Sequence, residues 1–284
     1  PGYDWSSWGL YEGENRGRGA SYSFYIKADT SKKAKADSAF VNIYNQQNEL
    51  IRTLKYKADT GFNRNSWGFE MKGIRQPGSP KPKSNTGEPR GLSVFPGTYK
   101  LVIRVGKESD STMIVINHDP AAPESKEVYD AKIKMMDRLD KSTVRLTEIT
   151  DRLSDAEETI AKIESQLKNE EGKAIDSLKK AGKAMTDSIN SIRNFIFGKP
   201  QEKQGYGSPY QLTVNGTLGE ARGEVLRKIK IPDQQEMRLA TEAEQMVNEA
   251  VQKTNAFFNG KWEEYKKMVD NTPLNPFKPY KVID

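Results

Sequence analysis

The stretch SKEVYDAKIKMMDRLDKSTVRLTEITDRLSDAEETIAKIESQLK, residues 125–168, decides the fold. Within it Met135, Leu139, Ser142, Leu146, Ile149, Leu153, Ala156, Ile160, Ile163 and Leu167 follow one another at alternating spacings of four and three. That is a period of 3.5, the seam of a long heptad helix, and at ~1.5 Å per residue it predicts a rod about 65 Å long. Charges of both signs interleave on its flank (Asp151, Arg152, Asp155, Glu157, Glu158, Lys162), the pattern of a solvated helix face.

A single long amphipathic helix cannot bury its own seam, so partners are expected downstream. Asn169-Glu170-Glu171-Gly172 reads as a turn. A second stripe follows with Leu178, Ala181, Met185, Ile189, Ile192 and Ile196, stopped by Gly198-Lys199-Pro200. Leu212, Leu218, Ala221, Val225 and Ile229 make a third, shorter stripe. Pro232-Asp233 opens a fourth, carrying Met237, Ala240, Ala243, Val247, Ala250, Thr254, Phe257 and Phe258. Short connections between helices predict an antiparallel, largely up-down four-helix bundle over 124–270. The Pro-rich residues 271–284 read as an irregular tail.

Upstream of the Ala121-Ala122-Pro123 linker the period is two. Seven short β-rich runs, at 21–26, 39–44, 50–54, 62–69, 92–95, 99–105 and 112–116, alternate with Gly, Pro, Asn and Ser turns. They predict an antiparallel β-sandwich over 20–120. Residues 1–19 read as a strap or linker from an upstream domain; the chain opens on Pro1, without Met or an apolar leader, and is read as a piece of a longer protein. The composition agrees with two parts. At 35% hydrophobic and 30% charged the chain is polar for one compact core, yet 9% aromatic residues are too many for disorder.

The chemistry is narrowed by what is scarce. The chain has no cysteine and one histidine, His118, which excludes thiolate chemistry, thiolate metal sites and a His-rich metal site. No run approaches the ~18 apolar residues of a membrane span. His118 beside Asp119 has no accompanying nucleophile motif and reads as a strand-end residue. The adjacent pairs Glu157-Glu158, Glu170-Glu171 and Glu263-Glu264 do not face each other on a helix and make poor acid–base dyads. Gly13–Gly19 lacks the lysine–hydroxyl pair of a phosphate loop. No catalytic residue, metal ligand or cofactor is expected.

The net charge of +6 (45 Lys+Arg, 39 Asp+Glu) falls entirely in residues 1–120, which hold 18 cationic and 12 acidic side chains; the remainder holds 27 of each. Between Gly73 and Arg90 the segment GIRQPGSPKPKSNTGEPR, with four prolines and three glycines, predicts a long exposed loop. Its cations Arg75, Lys81, Lys83 and Arg90 stand against Glu88 alone and are the candidate partner-binding residues. Nucleic acid is not expected, because neither a groove-reading helix nor stacking aromatics accompany the loop. The aromatics Tyr3, Trp5, Trp8, Tyr11, Tyr22, Phe24 and Tyr25 read as a packed strand plus strap, with a glycan platform as the other reading.

Several phrases together resemble one family. YEGENRGRGASYSFYIK (11–27), NQQNELIRTL (45–54), GFNRNSWGFE (61–70), FPGTYKLVI (95–103) and NHDP (117–120) occur in an order similar to the segment behind the β-propeller of bacterial sortilin-like, BNR-repeat "glycosyl hydrolase" proteins. LTVNGTLGEARGEVLRKIKIPDQQEM (212–237) and NAFFNGKWEEYKKM (255–268) follow the same plan. The chain departs from it at Asn15-Arg16-Gly17, where the family has Asn-Pro-Pro, and at Asp119-Pro120-Ala121, where it has Asp-Pro-Arg. The resemblance implies an FlgD-type Ig-like domain at 20–120, the helical bundle, and an absent propeller in which any hydrolase activity would reside. It also implies an exported location, in the periplasm, at the outer membrane or outside the cell, in the Bacteroidetes envelope. The resulting expectation is a non-enzymatic protein-interaction or scaffolding module at the C-terminal end of a larger exported protein. Its partner would be an envelope protein or the missing propeller. The alternative is an accessory carbohydrate-binding part of a glycoside-hydrolase-like propeller protein, marked by an exposed aromatic platform on the sandwich.

Overall fold

The computed structural model describes residues 19–27, 37–82, 87–120, 124–168, 170–200 and 211–272. The expectations for the strap at 1–18 with its aromatics, for Lys83, for the 121–123 linker and for the tail beyond 272 lie outside the described residues. The chain divides into two units, one formed by 1–73 with 85–117 and one by 74–84 with 118–284.

The first unit is antiparallel β. Its strands are β1 (Ala20–Ile26), β2 (Asp37–Tyr44), β3 (Leu50–Ala58), β4 (Gly61–Trp67), β5 (Glu70–Lys72), β6 (Arg90–Ser93), β7 (Gly97–Val105) and β8 (Glu108–Ile116). The expected run 62–69 is broken because Phe69 takes a left-handed φ of 64°, so an eighth strand, β5, forms after it. A four-stranded sheet in the order β3-β2-β7-β8 is accompanied by the pairs β1-β4 and β5-β6. Alternation decides which face is buried: Ala39, Val41 and Ile43 of β2 are fully buried, while Phe40 and Asn42 between them are not. Tyr22 of β1 and Trp67 of β4 meet Val41, Ile43, Tyr99 and Leu101 in one core, which makes the unit a sandwich of two layers.

Trp67 is the centre of that core, edge-to-face against Tyr99 at 5.4 Å, with its indole N–H donating to Glu70 O at 2.9 Å. The Tyr99 hydroxyl donates to Phe95 O, four residues upstream, at 2.5 Å. This is the tyrosine corner of immunoglobulin-like sandwiches. Arg52 on β3 is 4% exposed. Its guanidinium donates to Pro89 O and to Met71 O (3.4 Å), and Thr53 N–H donates to Glu88 Oε2 at 2.8 Å, so the return of the 73–90 excursion is tied to β3.

The second unit is helical: α1 (Lys126–Leu167), α2 (Lys173–Phe197), α3 (Val214–Arg227), α4 (Gln234–Phe257) and α5 (Glu263–Asp270), with a π-helical turn at Phe258–Trp262 between the last two. Ser125 caps α1 by accepting from Val128 N–H at 3.2 Å, and Thr213 caps α3 by accepting from Gly216 N–H. The seam of α1 is buried from Met135 and Leu139 to Ile160 and again at Leu167, with Ile163 half-buried between them. It meets α2, α3 and α4. α4 answers with Ala240, Ala243, Val247 and Ala250, all fully buried; such small side chains let helix axes approach closely. The π turn adds a residue to the helical path and gathers Phe257, Phe258, Trp262 and Tyr265 into one aromatic cluster.

Three stripe residues are placed differently from the periodic reading. Leu212 and Ile229 lie outside α3, at 59% and 56% exposure, and Met237 on α4 is 50% exposed. Beside Met237 it is Glu236 that is buried. As the third residue of α4, Glu236 turns back to accept from Asp233 N–H at 2.8 Å, in a capping box that points the next side chain outward.

Candidate functional site

Of the four loop cations, Arg75 and Lys81 fall in the helical unit and Arg90 in the β unit. Residues 74–82 belong to the helical unit, laid along α1. Gln76-Pro77-Gly78-Ser79 forms a type II turn, closed by Ser79 N–H to Gln76 O at 3.1 Å, with Gly78 at φ 75°. Its backbone is read by a threonine row on α1. Thr147 Oγ1 donates to Arg75 O at 3.0 Å, and Gly78 N–H donates to Thr150 Oγ1 at 3.2 Å. Thr143, Thr147 and Thr150 are buried, and their spacing of four and three puts them on one helix face.

Arg75 grips Asp151 through both terminal guanidinium nitrogens, one contact at 2.9 Å, and also donates to Ser79 O at 2.7 Å. Lys81 reaches both oxygens of Asp155 at 2.8 and 3.0 Å, one helical turn on, and this hydrogen bond raises its pKa. Arg90 is 87% exposed in the β unit, its Nε 3.8 Å from Glu70. Lys83 lies outside the described residues. The segment read as a free, exposed loop is therefore docked over 74–82, and two of its cations are already neutralised. The flank of α1 read as a solvated face is likewise in use: Asp151 and Asp155 hold this segment, and Glu157 accepts from Arg193 of α2 at 2.8 and 2.7 Å.

The α3–α4 connection is a second focus. Glu236, 2% exposed, takes Lys228, which is also held by Glu224. Lys230 pairs with Asp233, whose carboxylate accepts from Gln235 N–H at 2.9 Å. Hydrogen bonds to Glu236 and Glu224 hold the Lys228 ammonium well above its usual range. The hydrogen bond with Glu236 and the pairing with Lys230 hold the Asp233 carboxyl well below its own. Around this ionic knot Leu226, Ile229, Ile231 and Met237 are 45–56% exposed.

The third focus is a groove of about 930 Å³ in the β unit, lined by residues 22–26 of β1 and the following Lys27, 108–112 of β8, and Ile103, Val105 and Phe62. Tyr25 (62% exposed) and Phe62 (88%) form an exposed cross-strand pair at its rim, ring centroids 5.1 Å apart and planes at 66°. Burial holds the Tyr22 phenol well above its ordinary pKa.

His118 is exposed just beyond β8. Among the described residues no three His, Asp or Glu side chains converge as a metal site, and no helix is long and apolar enough to cross a membrane. Of the features that matter here, the threonine row repeats at helical spacing and Asp233-x-x-Glu236 has the spacing of a capping box, whereas Arg52 and the groove have no local signal. No family model, curated protein or solved structure matches the chain.

Proposed function

We propose that the chain is a non-enzymatic interaction and scaffolding module of a larger exported protein, and that its helical unit docks an envelope protein or a preceding propeller domain through the α3–α4 corner. The observation that carries this reading is the set of four half-exposed apolar side chains, Leu226, Ile229, Ile231 and Met237, on twelve consecutive residues. Exposed apolar clusters mark interaction sites. The Lys228–Glu236 and Lys230–Asp233 pairs hold the connection in shape, so little ordering entropy opposes docking there. The exported setting rests on the family resemblance of the sequence.

The test is cross-linking of the purified chain to envelope extract, followed by binding of the captured partner to an Ile229→Ser/Ile231→Ser variant of unchanged helicity. A loss of at least tenfold in affinity supports the reading; unchanged affinity removes the corner from it. A carbohydrate-binding role is favoured by one observation, the exposed Tyr25–Phe62 pair. Its rings meet edge to face, so a sugar would stack on one ring at a time.

A further inference from the structure

The groove between β1 and β8 has the form of an unfilled strand position. Side chains of a strand point alternately to opposite faces, so a surface touched by consecutive residues runs along a strand edge. Here both walls are consecutive, 22–26 on β1 continuing to Lys27, and 108–112 on β8. Among the described residues β1 pairs only with β4 and β8 only with β7, leaving a row of backbone donors and acceptors on each side. Exposed edges are commonly blunted by Lys, Pro or inward-pointing charges; ASYSFYI (β1) contains none of these, the groove's Lys27 lying just past its end, whereas ESDSTMIVI (β8) carries Glu108 and Asp110. On β8 the Ser111 N–H is already taken by Asp110 Oδ1 at 2.7 Å, which makes β1 the better template.

We propose that this groove takes an extended peptide of a protein partner as a third strand beside β1. A two-stranded sheet is marginal by itself, and β1-β4 gains most from an added strand. The length follows from the wall: six residues at ~3.3 Å each span about 20 Å. The side chains follow from the register. Ile103 pairs with Asp110 and Val105 with Glu108, on the face where Tyr99 pairs with Ile114 in the core. The inward side chains of the added strand therefore meet the apolar Phe24, Ile103 and Val105 beside the exposed carboxylates of Glu108 and Asp110, which outnumber the one lysine of the groove, Lys27. An alternating β-branched peptide with one inward Lys or Arg satisfies both. A sugar chain offers no row of amides to the β1 edge. This surface is separate from the α3–α4 corner, so either proposal can fail without the other.

The experiment uses the full chain and two blocked peptides, TVTVTKT and TVTVTET, in which both valines and the charged residue share one face, read by fluorescence anisotropy and by amide hydrogen exchange. The Lys peptide is expected to bind at least tenfold more tightly than the Glu peptide and to slow exchange of the 20–26 amides at least tenfold. In the exposed double variant Glu108→Lys/Asp110→Lys the preference should reverse. The proposal is overturned by absence of binding, by a preference that charge reversal does not change, or by β1 amides fully protected before peptide is added. Displacement of the peptide by a soluble β-glucan would assign the groove to carbohydrate and overturn it as well.

Discussion

Replacing Arg75 by Ala tests whether 74–82 is part of the helical unit or merely lies on it. The Arg75 and Asp151 side chains are 21% and 25% exposed. An exposed pair contributes about 0.2–1 kcal/mol, and a hydrogen bond to a charged group about 1.5–3 kcal/mol when shielded. A two-pronged grip that is mostly buried, with a further bond to Ser79 O, belongs near the lower end of the second range, at about 2 kcal/mol. For a unit of this size each kcal/mol moves the midpoint by about 2–4 °C, so the helical transition, followed by circular dichroism at 222 nm, should fall by about 4–8 °C. A double-mutant cycle with Asp151→Ala should give a coupling of about 1 kcal/mol or more. As a control, Arg152→Ala breaks only the exposed same-helix pair with Glu148 and should cost about 0.3–0.5 kcal/mol. A midpoint for Arg75→Ala within 1 °C of the parent (about 0.3 kcal/mol), or strict additivity with Asp151→Ala, would refute the reasoning and return the segment to a solvated loop.

Gly78→Ala places a side chain at φ 75° with its Cβ 3.2 Å from Phe197 Cζ; a loss of about 1–2 kcal/mol is expected, together with faster proteolysis within 74–82. Tyr99→Phe deletes the bond to Phe95 O and should cost the β unit about 1 kcal/mol, read from the tryptophan fluorescence transition. The α3–α4 corner should be acid-sensitive. The Asp233 pKa is depressed by its hydrogen bond with Glu236 and by Lys230. Glu236 is raised by that shared bond, but Lys228 and backbone N–H groups outweigh it and its pKa is also lowered. Depressed carboxylates add stability that is fully present above their unfolded values of about 4 and lost as pH falls through the lower folded values. Asp233→Asn should therefore be less stable than the parent at pH 7 and converge with it towards pH 2, and a difference that persists in acid would argue against the ionic knot.

Much of this architecture was legible in the residues alone. The four-three spacing from Met135 to Leu167 marked α1 to within a residue of Lys126–Leu167, and Asp233 marked the start of α4. Both signals are local, because a helix repeats its own geometry and its caps bind their own first turn. Alternation likewise located the strands, though Phe69 with its positive φ split one run in two. Periodicity did not say where a stripe ends. Leu212 and Ile229 continue the spacing of α3 but lie beyond its ends, and Met237 yields its place to a capping glutamate. Nor did composition show that the Pro-rich 74–82 leaves the β unit to be held on α1. Arg75 and Asp151 are 76 positions apart, and either charge by itself looks like solvated surface. The groove is still less visible, since an unpaired edge is defined by the strand that is not beside it. Local sequence determines the repeat of an element and its caps; which charges meet, and which edges stay open, is decided by chain packing between residues that share no local pattern.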